Sequence, residues 1–169
     1  MKRMRQAISR RTFIKSTAAA VAAPYIVPSS ALGRDGREAP SDRVTMGLIG
    51  LGSMGMRHVK GFLQEDDCQI VAVCDVDAGR RNAATKEINE KYGNTDCALN
   101  NDFRDMISCD EIDTLCISVP DHWHSIPAIS GVRAGKDIYG EKPLALTIAE
   151  GKAMVEAVHR YNCVWQTGS

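Results

Sequence analysis

The sequence predicts an α/β protein built on a doubly wound parallel sheet. Three observations carry this. Strand-length apolar runs alternate with helix-length segments from residue 44 onward. The runs are apolar throughout, as strands buried on both faces are. The first run opens onto a glycine-rich turn and then a helical pattern, the entrance to a βαβ unit.

The elements follow in order. Val44–Ile49 is a short β-compatible run, and a helical pattern then extends to about Gln64. Gln69–Cys74 predicts a second strand ending at Asp75. Ala78–Tyr92 is polar and helix-prone, with Glu87 four residues before Lys91 as a supporting pair. Asp96–Leu99 predicts a short strand and Asp102–Ser108 a short helix. Thr114–Val119 is a continuous apolar strand stopped by Pro120, and Ser125–Ala134 a helix closed by Gly135. Asp137–Gly140 predicts a strand. Thr147 then caps a helix reaching about Tyr161, with Glu150 placed for a capping box. Val164–Thr167 begins one more strand. The chain stops right after it, an ending that predicts a truncated sequence.

Composition bounds the function. The chain has 169 residues, 44% hydrophobic and 25% charged, near globular averages, so wholesale disorder is excluded. Lys and Arg (21) balance Asp and Glu (21), but six basic residues and no acid fall within residues 1–15. Without those six, 15 basic residues face 21 acidic ones, a net charge of −6. The mildly acidic body argues against a nucleic-acid partner. Six cysteines lie at irregular spacing with no C-x-x-C, so no metal site is expected, and those inside VAVCD and TLCISV read as small buried hydrophobes.

Residues 1–33 resemble a twin-arginine export signal. Arg10 and Arg11 are followed by Phe13, then by the Ala-rich stretch STAAAVAAPYIV and PSSALG. This implies the twin-arginine machinery as a partner and a periplasmic or otherwise exported protein, membrane-tethered if the leader stays uncleaved. Residues 34–43 are polar with Gly and Pro and read as a linker, leaving 44–169 as the folded domain.

The chemistry-bearing motif is Gly50-Leu51-Gly52-Ser53-Met54-Gly55. A GxGxxG between strand and helix, with Asp75 twenty residues after Gly55 at the next strand end, predicts a dinucleotide-binding fold of Rossmann type. Gly50 permits the turn, Gly52 admits a pyrophosphate, and Gly55 lets the helix pack closely. Ser53 and Met54 supply backbone N–H groups at the helix N-terminus. Asp75 would accept from ribose hydroxyls, favouring NAD over NADP, while Arg80 and Arg81 keep NADP open. Two more polar clusters fall at strand ends: Pro120-Asp121-His122-Trp123-His124, and Glu141-Lys142-Pro143.

Together GLIGLGSMGMRH, VAVCDVD, IDTLCISVPDHWHS and IYGEKPLA resemble the glucose–fructose oxidoreductase / inositol dehydrogenase / rhizopine-catabolism (Gfo/Idh/MocA) family, over nearly all of residues 44–169. The resemblance implies an NAD(P)-dependent oxidoreductase with Lys142 beside the nicotinamide, contacting the reacting hydroxyl of a sugar or polyol. In a partly dry pocket beside a cationic ring, a lysine's pKa should fall. Glu141 would oppose that shift or contact the cofactor, and the Lys142–Pro143 bond is a plausible cis peptide that would re-aim the lysine. Pro120 and His124 match cofactor-lining positions. His124 could instead cap the following helix and Trp123 could be core packing, while His122 reads as an exposed loop residue. His58 and His159 receive no role. The family's second α+β domain, which supplies most substrate contacts and a route to homo-oligomers, has no counterpart in this chain. Two other readings stand: an NAD-dependent glycoside hydrolase of the same family, and a non-catalytic cofactor-binding module.

Overall fold

The computed structural model describes residues 42–168. The leader and all but the last two residues of the linker lie outside the described residues.

Six strands form one sheet in the order β3-β2-β1-β4-β5-β6, and every neighbouring pair is parallel. They are β1 (Val44–Ile49), β2 (Cys68–Cys74), β3 (Ala98–Asn100), β4 (Thr114–Ile117), β5 (Asp137–Gly140) and β6 (Trp165–Thr167). The connecting helices are α1 (Ser53–Phe62), α2 (Ala78–Tyr92), α3 (Phe103–Ile107), α4 (Ser125–Arg133) and α5 (Ile148–Tyr161). From β1 the chain winds outward to β3, then returns to lay β4 on the other side of β1. The order therefore reverses between β1 and β4, and a crevice opens beyond their carboxyl ends.

Helices cover both faces. Met46 and Leu48 of β1, Val73 of β2 and Cys116 of β4 pack with Val59 of α1 and Ile88 of α2. On the other face, Ile49, Leu115, Ile117 and Ile138 pack with Met106, Val132 and Met154 from α3, α4 and α5. This two-sided burial is why the strands read as unbroken apolar runs. Each fully buried Leu or Ile contributes roughly 1.5–3 kcal/mol. Cys74, Cys97 and Cys116 sit in this core as small hydrophobes.

The differences from the sequence expectation have local causes. The strand expected over Asp96–Leu99 begins pairing only at Ala98, opposite Ala72. The N–H groups of Asp96 and Cys97 go to the side chains of Asn94 and Asn89 instead. The expected helix over Asp102–Ser108 is α3, with Asp102 as its N-cap and Ser108 as its C-cap. The capping box at Thr147 and Glu150 is present in full.

Candidate functional site

β1 ends where Gly50 turns the chain at a φ of 88°, a left-handed conformation that favours glycine. A Cβ on Gly50 would lie 2.4 Å from the Ser118 carbonyl oxygen. One on Gly55 would lie 1.9 Å from the Gly50 carbonyl oxygen, so α1 packs directly over the turn. Gly52 differs. A Cβ there would meet only the Arg80 guanidinium, at 3.9 Å, because the space before it is a cleft of about 640 Å³ that Gly50, Ser53 and Met54 also line.

Among the helices, α2, α3 and α5 begin under side-chain caps from Asp77, Asp102 and Thr147. α1 and α4 have no side-chain cap and no acid in the first turn, but α4 runs on from the 3-10 turn at Asp121–Trp123 whereas α1 opens from the glycine turn. At α1 the glycine turn opens on the cleft. The first N–H groups of α1 and its positive dipole end are therefore left for an anion. A glycine whose Cβ would fill the cleft, beside an uncapped helix start, suits a dinucleotide diphosphate.

Asp75 follows β2 and is 9% exposed. Its Oδ2 accepts from Leu51 N at 2.7 Å and its Oδ1 from Asp77 N at 2.9 Å, which aims the carboxylate along the cleft wall. Each oxygen keeps capacity for another donor, such as a ribose hydroxyl. The two arginines separate. Arg81 donates to the Asp75 carbonyl and the Asn101 side chain, whereas Arg80 lines the cleft with Nη1 4.0 Å from Asp75 Oδ2. Beyond Asp75 the wall continues through Phe103 and Arg104, the guanidinium lying 4.6 Å over the Phe103 ring. These two were not singled out from the sequence, although their place just after β3 at the sheet's carboxyl edge was a usable signal. Cys74 also lines the cleft, but burial, reinforced by the Asp102 and Asp75 charges, pushes its thiol up to about 11. It is a neutral thiol rather than a nucleophile near pH 7.

The opposite wall comes from the end of β4. Pro120 lines it, and a single 3-10 turn over Asp121–Trp123 brings His122 and Trp123 to the same surface. Trp123 is 44% exposed, so it is cleft wall and not core packing. His124 is the N-cap residue of α4. It is 2% exposed, makes no side-chain cap, and sets Nε2 2.6 Å from the Val119 carbonyl oxygen. It lies beneath the wall and pins the turn that leads to Pro120, because a buried imidazole takes the nearest backbone partner.

The β5 end carries Glu141 and Lys142. Lys142 is exposed, and its bond to Pro143 is cis. The dry surroundings expected around its ammonium are not supplied by the described residues. Glu141 does not line the cleft either. It is 3% exposed, with Oε1 2.7 Å from His58 Nε2 and Oε2 accepting from Lys142 N at 3.1 Å. His58, given no role from the sequence, is thus its buried partner. The signal was available: positions 55, 58, 59 and 62 form the inward stripe of α1, and a polar residue on such a stripe needs a partner.

Comparison with known proteins places these features in a family. Residues 44–169 match the model of the Gfo/Idh/MocA oxidoreductase family, described by its NAD-binding Rossmann fold. A "Glycosyl hydrolase family 109 protein" of Shewanella baltica is 32% identical over 181 residues, covering 93% of this chain and 39% of the relative. One from Shewanella pealeana is 33% identical over 132 residues, covering 73% of this chain and 28% of the relative. The chain thus spans well under half the length of these curated relatives. Among solved structures, myo-inositol 2-dehydrogenase from Lactobacillus plantarum superposes with a TM-score of 0.67 at 27% identity, over 75% of this chain and 36% of that one. Scyllo-inositol dehydrogenase from Lactobacillus casei, with bound NAD(H) and scyllo-inositol, superposes equally well at 25% identity, again over 75% and 36%. The cleft at the β1–β4 reversal and the match along the whole described domain have one reading: this chain belongs to the Gfo/Idh/MocA family of oxidoreductases, and residues 44–169 carry its NAD-binding Rossmann fold.

Proposed function

We propose that this chain is the nucleotide-binding part of an exported NAD-dependent oxidoreductase that moves a hydride between nicotinamide and a sugar or polyol hydroxyl. The observation that carries the reading is the uncapped start of α1 beside Gly52 and Asp75, facing one cleft at the point where the strand order reverses. The nicotinamide, when bound, supplies a carbon that accepts or returns the hydride. The N–H groups of Ser53 and Met54 hold the diphosphate. Asp75 accepts from the adenosine ribose hydroxyls, and its charge disfavours a 2′-phosphate, hence NAD before NADP. Pro120 and Trp123 close the far wall. Lys142 hydrogen-bonds the reacting hydroxyl and takes or returns its proton, and Glu141 directs the turn that carries it. The inositol dehydrogenase bound to NAD(H) and scyllo-inositol supports this substrate class. The Arg10–Arg11 leader supports export. Changing both arginines to lysine should leave the protein in the cytoplasm.

Purified full-length protein should release NAD on denaturation, identified by mass spectrometry, and should reduce it with at least one of a panel of inositols and sugars. Failure to retain either nicotinamide nucleotide would end this reading.

A specific observation favours a second reading. The curated relatives carry the name glycosyl hydrolase family 109. In that chemistry the hydride is removed and returned within one cycle. The transient oxidation acidifies a neighbouring C–H and so permits departure of the leaving group. Turnover of chromogenic aryl glycosides without net change in NADH would select it over the dehydrogenase.

A further inference from the structure

Among the described residues, a buried carboxylate–imidazole pair ties the helix of the glycine turn to the strand end that carries Lys142. His58 on α1 and Glu141 after β5 are 83 residues apart, with Nε2 2.7 Å from Oε1. Their side chains are 12% and 5% exposed. A carboxylate oxygen only accepts, so Nε2 carries the hydrogen. The His58 ring is held in turn, stacked on Phe62 with centroids 5.9 Å apart and edge-on to Tyr139 at 5.2 Å. The second carboxylate oxygen accepts the Lys142 backbone N–H. Gly168 closes the back of the group, since a Cβ there would fall 2.6 Å from Oε1. Both oxygens are therefore committed, one to α1 and one to the residue that bears the exposed amine. Leaving such a buried carboxylate unpartnered is costly, so its direction is strongly determined.

We propose that His58 is a positioning residue for Lys142, acting through Glu141. The helix whose N-terminus faces the cleft thereby also sets the direction of the lysine-bearing turn. This rests on the reading that Lys142 meets the substrate hydroxyl beside the nicotinamide.

The test uses full-length protein, with NADH as ligand and an acetylating N-hydroxysuccinimide ester as amine probe. Three readouts are taken: the NADH dissociation constant from nucleotide fluorescence, protection of Lys142 from acetylation by bound NADH from peptide mass spectrometry, and kcat with whichever substrate the parent turns over. His58→Phe keeps a ring between Phe62 and Tyr139 but removes the hydrogen bond. His58→Gln restores an N–H within reach. The phenylalanine variant should bind NADH like the parent, lose the protection of Lys142, and lower kcat on the order of tenfold to a hundredfold. The glutamine variant should recover both. Should His58→Phe fold poorly, the double variant His58→Phe/Glu141→Leu removes the stranded carboxylate and should fold while still failing to protect Lys142. Undiminished protection in any folded variant lacking the pair overturns the proposal. So does a glutamine variant no better than phenylalanine, or a parallel loss of NADH affinity and protection. If the parent itself shows no protection, the reading of Lys142 fails and takes this proposal with it. That result is distinguishable because it precedes any substitution.

Discussion

The turn after β1 and the turn after β5 approach recognition by opposite means. Between Gly50 and Gly55 the backbone does the work. Two glycines allow contacts that a Cβ would forbid, a third leaves the cleft open, and the helix begins uncapped. Between Gly140 and Pro143 side chains do the work. A buried carboxylate is fixed by an imidazole from α1 and by a backbone N–H, and it carries an exposed lysine beside it. A backbone site tolerates almost no substitution at its glycines and discriminates poorly among diphosphates. An exposed side chain such as Lys142 can be altered without unfolding the protein.

The largest effect that would break this contrast is at Gly55. Gly55→Val places carbon atoms against the Gly50 carbonyl, and overpacking of this kind costs about 1–3 kcal/mol or more. We expect NADH retention to vanish and the urea midpoint to fall. Retained binding would mean that the turn can give way and that the backbone account is wrong. At the other turn, Lys142→Ala should leave stability and NADH affinity near those of the parent while lowering kcat by roughly 10²–10⁴. Unchanged turnover would favour a non-catalytic cofactor-binding module. Asp75 lies between the two cases. Asp75→Ser removes a charge-assisted acceptor, so NAD affinity should fall roughly tenfold, about 1.4 kcal/mol. NADP should gain in relative terms, as Arg80 becomes available to a 2′-phosphate. Titration of each variant with both nucleotides checks this.

Two smaller effects sharpen the comparison. Burial raises the thiols of Cys68 and Cys74 on β2, and of Cys97 just before β3, from 9.0 to about 11. The folded state holds these protons more tightly than the unfolded chain. Their contribution to stability is therefore complete below about pH 9 and is lost as pH rises through about 11. Urea midpoints should decline across that window, and less so in Cys74→Ala/Cys97→Ala. Thr147→Ala dismantles the capping box of α5 and should cost about 1 kcal/mol by chemical denaturation without altering NADH binding.

Much of the nucleotide half was legible in order along the chain. The β1 run, the glycine spacing, the acid at the next strand end and the polar helix over 78–92 are all local patterns, and each element forms where its pattern lies. The β5 end was legible only as a motif. Its lysine could be named, but the partner of Glu141 lies 83 residues away on a helix with no local reason to meet it. His124 shows the same limit. The family resemblance suggested a cofactor-lining position and its place before the helix a cap, whereas only packing shows the ring buried against the Val119 carbonyl. Trp123 read from the sequence as possible core packing, and the 3-10 turn brings it to the cleft wall instead.

By itself, then, the sequence determined the parallel α/β architecture, the glycine turn and the acid that faces it, because periodicity, turn glycines and caps act over a few residues. The tertiary structure alone decided which side chains meet, His58 with Glu141 and Arg81 with Asn101, and left Arg80 facing the cleft. Those pairings follow from strand order and from the burial of polar groups that must find partners, and neither can be read from neighbours along the chain.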